Sequence, residues 1–254
     1  MIAFVRELSA RLEHCELSFI ARAPIDGARA RQQHRGYLAA LAELGCALRW
    51  LPPLSEHADG VFVEDTAVLV PELAVLSRPG APSRRGEVDS VAASLAGVRP
   101  LTRVLPPGTL EGGDVLRIGR TLYVGESARS NAQGTAQLAT ALERFGYAVR
   151  PVATRGCLHL KSAATFIPPD TLLANPDWVD PGVFDVRRVL RVDAAEAFAA
   201  NTLTLAGVTL VSADYPRTRE RLHAAGIATR ALEVSELHKA EAALTCMSLI
   251  LESA

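Results

Sequence analysis

The chain has 254 residues, with 27 basic and 28 acidic side chains and a formal net charge of −1. That length suits one large domain or two small ones with a substantial core, and 49% hydrophobic residues exclude a disordered tail. No Lys/Arg-rich run is present, so nucleic-acid binding is not expected. No apolar stretch reaches the roughly 18 residues that a membrane helix needs.

From the start of the chain, Met1–Ala10 carries Arg6 and Glu7 inside its first apolar run and does not read as a signal peptide. A repeated design follows: an amphipathic stretch, a glycine, then an apolar strand. The first unit is Tyr37–Leu44, Gly45 and Cys46–Pro52. The second is Glu87–Ala96, Gly97 and Val98–Leu105. Leu116–Val124 then reads as a hairpin turning at Gly119-Arg120. The third unit is Thr135–Phe145, Gly146 and Tyr147–Val152. A degenerate fourth has Gly182 before Val183–Val192, and the fifth is Arg217–Ala225, Gly226 and Ile227–Val234.

The five glycines are spaced 52, 49, 36 and 44 residues apart. A helix closed by a C′ glycine that feeds a strand accounts for each unit. Tyr37, Leu41 and Leu44, and likewise Leu138, Leu142 and Phe145, share one face of a helix. Five such units are expected to form an α/β ring, because radial repetition protects sheet edges. An ordinary α/β sandwich is the alternative. One domain over residues 1–254 is expected.

Four cysteines, Cys15, Cys46, Cys157 and Cys246, show no C-x-x-C spacing, which argues against structural zinc and a disulfide framework. A cytoplasmic protein with free thiols is expected. Six polar clusters stand out. They are Asp59-Gly60-Val61-Phe62-Val63-Glu64-Asp65, Arg78 through Glu87, Glu111-Gly112-Gly113-Asp114, Gly125 through Asn131, Leu158-His159-Leu160-Lys161-Ser162 and Thr245-Cys246-Met247-Ser248.

Together they supply a thiol, an imidazole, several carboxylates and isolated arginines near strand ends, where scaffolds present reactive groups. Carboxylates suit a guanidinium or amine, and arginines suit an α-carboxylate. The inventory therefore points to a cationic, amino-acid-like substrate. Each group also has a plain reading: Cys246 as core packing, His159 as a satisfied core histidine, Asp114 as an Asx-turn residue. Cys157, two residues before His159, is a rival nucleophile, because residues two apart on an extended strand face the same side.

The six clusters, in this order over about residues 59 to 250, resemble the dimethylarginine dimethylaminohydrolases of the pentein superfamily. The resemblance implies a five-bladed α/β propeller and hydrolysis of an Nω-methylated arginine to citrulline and an alkylamine through a covalent thiouronium on cysteine. It implies Cys246 as nucleophile, His159 as general acid and base, and Glu111 as the carboxylate contacting both the histidine and the guanidinium. It implies Asp65 as a second guanidinium ligand, Arg84 and Arg129 as the α-carboxylate clasp, and Asp59 as ligand of the α-amino group. Glu64 and Asp114 are supporting acids of the same motifs, and Leu17 belongs to a loop covering the pocket. No metal or organic cofactor is expected, and no nucleic-acid or membrane partner; the chain is expected to be a monomer or homodimer. Arginine deiminases, amidinotransferases and a non-catalytic binding pentein, like the ribosome anti-association factor, remain as alternatives.

Overall fold

The computed structural model describes residues 1–252; the last two residues of the expected 1–254 domain lie outside the described residues. Strand β1 (Ile2–Val5) leads through a long loop to helix α1 (Gly27–Glu43), which starts at Asp26. The Asp26 carboxylate accepts the N–H groups of Ala28 and Arg29, satisfying two donors that a helix start leaves open. Gly45, at φ +86°, ends the helix in the left-handed region and releases β2 (Ala47–Trp50). β2 runs parallel to β1.

The same unit then recurs. β3 (Ala67–Leu69) and β4 (Ala74–Leu76) form a hairpin, and α2 (Val88–Leu95) returns the chain to β5 (Leu101–Arg103), parallel to β4. β6 (Val115–Ile118), β7 (Thr121–Glu126), α3 (Ala132–Glu143) and β8 (Ala148–Ala153) repeat it. After the short helix α4 (Leu160–Ala163) come β9 (Ala164–Ile167), β10 (Thr171–Ala174) and β11 (Arg188–Arg191). β12 (Leu203–Leu205), β13 (Val208–Ser212), α5 (Pro216–Ala224) and β14 (Thr229–Leu232) follow. The one-turn helix α6 (Ser235–His238) precedes the last strand, β15 (Leu249–Leu251).

Among the described residues these strands make five three-stranded sheets, each an antiparallel pair extended by one parallel strand. β15 pairs with β1, Leu249 opposite Phe4, so one blade is assembled from both ends of the chain and the ring closes. The fold is the five-bladed α/β propeller that the family resemblance implies, and the five units form the ring rather than the alternative sandwich. Apolar side chains fill the spaces between blades. Val68 and Val75 of one blade pack with Leu122, Leu138 and Leu142 of the next, for example. Burying each such leucine or valine contributes roughly 1.5–3 kcal/mol.

Two local expectations change. The fourth unit has no crossover helix; a single 3-10 turn, Pro181–Val183, stands in its place before β11. Gly97 lacks the positive φ seen at Gly45, Gly146 and Gly226, so α2 ends without a left-handed glycine. The hairpin turn at Gly119 is as expected, with φ +58°.

Each blade begins with an irregular turn on the ring's inner side. Val63–Thr66 precedes β3, Gly112–Asp114 precedes β6, and α4 precedes β9. Asn201 and Thr202 precede β12, and Cys246 precedes β15. Four of the six polar clusters of the sequence are these entry turns; the other two, residues 78–87 and 125–131, lead from β4 and β7 into α2 and α3.

The turn carrying Cys246 is anchored from behind by α1. Tyr37 is fully buried, and its hydroxyl bonds the hydroxyl of Ser248 at 2.7 Å. Tyr37→Phe strands that serine in the core, and leaving a buried polar group unpaired costs about 1–3 kcal/mol. Tyr37→Phe should therefore lower stability by about that amount in urea unfolding, and adding Ser248→Ala should recover part of the loss.

Candidate active site

The 3-10 turn Val63–Thr66 is held by the Thr66 hydroxyl, which donates to the Val63 carbonyl at 2.7 Å. It aims Asp65 inward, where one carboxylate oxygen accepts the Gly113 N–H at 2.9 Å and the other accepts Arg84 Nη1 at 2.5 Å. Gly113 has no room for a side chain. A Cβ there would lie 2.6 Å from His159 Nδ1 and 2.8 Å from the Asp65 carboxylate. This glycine lets a backbone N–H, a carboxylate and an imidazole meet.

Glu111, fully buried, takes His159 Nε2 at 2.7 Å on one oxygen. On the other it accepts the Gly80 N–H at 3.0 Å, with Arg129 Nη1 at 3.5 Å. His159 Nε2 also stands 3.9 Å from Asp65. Burial lowers the imidazolium's pKa, but Asp65, Asp114 and Glu111 outweigh it and leave His159 at about 9. Burial likewise raises Asp65, but the His159 and Arg84 charges hold it well below the usual carboxylate range. Glu111, raised by burial, is brought below its ordinary value chiefly by the His159 hydrogen bond. At neutral pH the cluster is a buried imidazolium between two carboxylates.

Cys246 and His159 line one cavity of about 190 Å³, together with Glu64, Gly113 and Lys161. Cys246 is half-buried on a turn rather than in a strand, and the Ala243 N–H points to its sulfur at 3.4 Å. Burial, then the charges of Glu64 and Asp65, push its thiol up to about 12. Cys157 faces elsewhere. It is packed with Leu116, Tyr123 and Val179, and no strand runs through Cys157–His159 to turn both to one side.

The supporting acids do different things. Glu64 pairs with Lys161 at 2.6 Å and accepts the Thr245 hydroxyl at 2.6 Å, next to Cys246. Asp114 lies behind the histidine: Ser127 and Ser130 donate to one oxygen and the Leu160 N–H to the other. It fixes the backbone that carries His159 and does not itself line the cavity. Asp59 is buried, its pKa pushed up to about 6 by burial, and it accepts the Glu16 N–H. Leu17 sits on the strap Glu16–Phe19 that crosses the site, half-buried against the core.

Arg84 is 4% exposed and makes four hydrogen bonds, to Asp65, Phe62 and both oxygens of Glu87. In this state it braces Asp65. Arg129 has one looser bond to Glu111 and one to Ser18 Oγ at 3.3 Å. Asp65, Glu111 and His159 hold ligand-type atoms within 4.8 Å of one another and are the group, among the described residues, that could offer itself to a metal ion. A cation there would have to displace the imidazolium proton.

Sequence reasoning assigned no role to Lys161, Asn201, Thr245 or Glu241. Lys161 and Thr245 stood inside quoted motifs, whereas Asn201, which binds Thr245 through two hydrogen bonds, had no motif to mark it.

A cysteine that shares a cavity with an imidazolium held by a carboxylate, on a five-bladed α/β propeller, is the arrangement of the guanidine-modifying penteins. No protein-family model matches the chain. It is 34% identical over 226 residues to N(G),N(G)-dimethylarginine dimethylaminohydrolase of Pseudomonas aeruginosa, covering 88% of this chain and 89% of that one. It is 37% identical over 250 residues to the Streptomyces coelicolor protein of that name, covering 97% and 95%. A solved Pseudomonas aeruginosa structure, a cysteine-to-serine variant in complex with citrulline, superposes with a TM-score of 0.92 at 32% identity over 97% of each chain. The chain belongs to the dimethylarginine dimethylaminohydrolase family.

The two arginines separate by energetics. Arg84→Ala leaves Glu87 buried without its cation and Asp65 with only the Gly113 N–H and the more distant imidazolium; breaking a buried pair costs about 3–5 kcal/mol, so urea unfolding should show a large loss of stability. Arg129→Ala removes only a 3.5 Å contact from Glu111, which keeps the Gly80 N–H and His159, so it should cost less stability than Arg84→Ala and act on substrate affinity.

Proposed function

We propose that this chain hydrolyses an Nω-methylated arginine to L-citrulline and methylamine or dimethylamine, with Cys246 as nucleophile and His159 as proton carrier. The observation that carries the reading is the shared cavity. The thiol and the imidazolium line the same 190 Å³ space, and the imidazolium is bonded at 2.7 Å to a buried carboxylate.

A guanidinium carbon is a weak electrophile, because its positive charge is spread over three nitrogens. Attack on it calls for a thiolate. In the free protein Cys246 holds its proton, since burial, and after it the charges of Glu64 and Asp65, oppose a further negative charge. A substrate guanidinium entering the cavity, drawn by the negative charge of Asp65 and Glu111 behind His159 and of Glu64 in the lining, places positive charge beside the sulfur, so that the thiol gives its proton to solvent and the thiolate is favoured. The same carboxylates fix the carbon over the sulfur, which reduces the entropy cost of attack.

Sulfur then bonds to carbon. As the carbon–nitrogen bond to the alkylamine breaks, His159 gives that nitrogen its proton, and the amine leaves in neutral form or takes a further proton from water. His159, now neutral, accepts a proton from the water that attacks the thiouronium carbon. The carbon–sulfur bond breaks, citrulline leaves, and the thiol is restored. Glu111 holds the imidazole in register throughout, and its charge stabilises the protonated form. Arg129 and Asp59 receive the α-carboxylate and α-ammonium, while Arg84 keeps Asp65 ionised and aimed.

The unit proposed to do this is one catalytic domain. Among the described residues no helix is long and apolar enough to cross a membrane. A cytoplasmic location and a monomer or homodimer complete the proposal. Deiminase and amidinotransferase activities are the competing outcomes, scored by citrulline from arginine and by guanidinoacetate from arginine plus glycine.

With asymmetric dimethylarginine as substrate, wild type and Cys157→Ser should form citrulline, and Cys246→Ser should form none while keeping its fold by circular dichroism. Activity in Cys246→Ser would remove the nucleophile assignment. In the free enzyme, alkylation of Cys246 by iodoacetamide should climb about tenfold per pH unit from pH 7 to 9 with no plateau, since only the thiolate reacts and the thiol's pKa lies above that range. A plateau near pH 7 would mean a preformed thiolate–imidazolium pair.

A further inference from the structure

Glu241 lies outside every motif, yet its backbone is held at φ +55°, a conformation that residues other than glycine seldom adopt. Such strain persists only where the surroundings hold it, and it clusters at working parts of a protein. Glu241 lines the cavity of Cys246 and His159, on the segment leading to the nucleophile. Its carboxylate reaches across to the N-terminal strap. One oxygen accepts the Ser18 N–H at 2.6 Å, and the other accepts the Phe19 N–H at 2.9 Å. Two consecutive backbone donors on one carboxylate make a charge-assisted, bidentate clamp.

The strap touches the site at two more points. The Glu16 N–H donates to Asp59, and Arg129 Nη2 donates to Ser18 Oγ at 3.3 Å. These are the two side chains proposed above to receive the α-ammonium and α-carboxylate of the substrate. The strap occupies the groups that the two ends of the amino acid would take. Arriving substrate must displace it from both. Besides Ser83 Oγ on the Glu16 carboxylate and Leu17 against the core, Glu241 holds the strap, and the proposed clasp makes no use of it.

We propose that Glu241 is a positioning residue that latches Glu16–Phe19 over the cavity, so that the strap stays closed while Asp59 and Arg129 exchange it for substrate. This rests on the reading of the substrate's two ends given under the proposed function. The latch ties closure of the site to the segment that carries Cys246. It explains why a strained, acidic residue stands where glycine would fit more easily.

Glu241→Gly keeps the left-handed backbone and removes the latch. Glu241→Gln keeps the length but leaves one acceptor oxygen. Hydrogen exchange at the Ser18 and Phe19 amides is read by NMR in the full-length protein, with the amides of β13 as internal reference. Glu241→Gly should speed exchange at both amides at least tenfold, with β13 unchanged, and Glu241→Gln should fall between it and wild type. KM for asymmetric dimethylarginine should rise about tenfold in Glu241→Gly, more than kcat changes.

Unchanged exchange at Ser18 and Phe19 overturns the proposal, as does faster exchange with an unchanged KM. The exchange measurement needs no turnover. A wild-type protein that forms no citrulline from methylated arginine would therefore refute the proposed reaction while the exchange data still report on the latch.

Discussion

The site depends on one buried contact, the hydrogen-bonded pair of Glu111 and His159. An imidazolium taken out of water is unstable unless negative charge surrounds it, and a buried carboxylate is unstable unless donors satisfy it. Here each meets the other's need at 2.7 Å. The pair cannot stand alone, because Asp65 is close by and a second carboxylate near Glu111 raises both. Arg84 resolves that conflict by binding Asp65, and Glu87 in turn holds Arg84. The result is a chain of alternating charges in which each member stabilises the ionised state of the next. Networks of this kind are sensitive to the loss of any member, because the remaining charges stay buried.

The propeller is what allows four distant segments to join that network. Asp65, Glu111, His159 and Cys246 each sit on the turn that opens a blade, about 45 residues from the last, with Asn201 filling the interval between His159 and Cys246. Radial repetition turns a regular spacing along the chain into a cluster around one axis. Because β15 joins β1, the turn bearing Cys246 is closed into the same ring. Tyr37, Gly113 and Asp114 then decide the fine placement, by a hydrogen bond, by the absence of a side chain and by a bond to the Leu160 N–H. These are contacts made by supporting atoms rather than by the reacting groups. They set the tolerance within which sulfur, carbon and imidazole can meet.

Much of this was legible in the chain itself. The helix-glycine-strand units, the hairpin at Gly119 and the six polar clusters are local patterns, and local patterns follow from backbone preference and hydrophobic period. The missing crossover helix of the fourth blade was hinted at by its degenerate unit. Other features had no local signal. Whether Cys157 or Cys246 faces the histidine depends on how the chain bends at Gly156 and on which blade each residue joins. That Arg84 braces Asp65, rather than lying open, depends on Glu87 and Phe62 closing around it.

The sequence by itself determined the number of blades, the order of the reactive groups along the chain and the chemistry those groups could perform. Periodicity, glycine placement and residue type act over a few neighbours, so they can be read one segment at a time. Only the tertiary structure decided which thiol meets the imidazole, which carboxylates share its charge and which residue clamps the strap. Those outcomes turn on burial and on distances between residues up to 223 positions apart. Electrostatic energies at such contacts change steeply with separation and with the exclusion of water, and no run of adjacent residues records either.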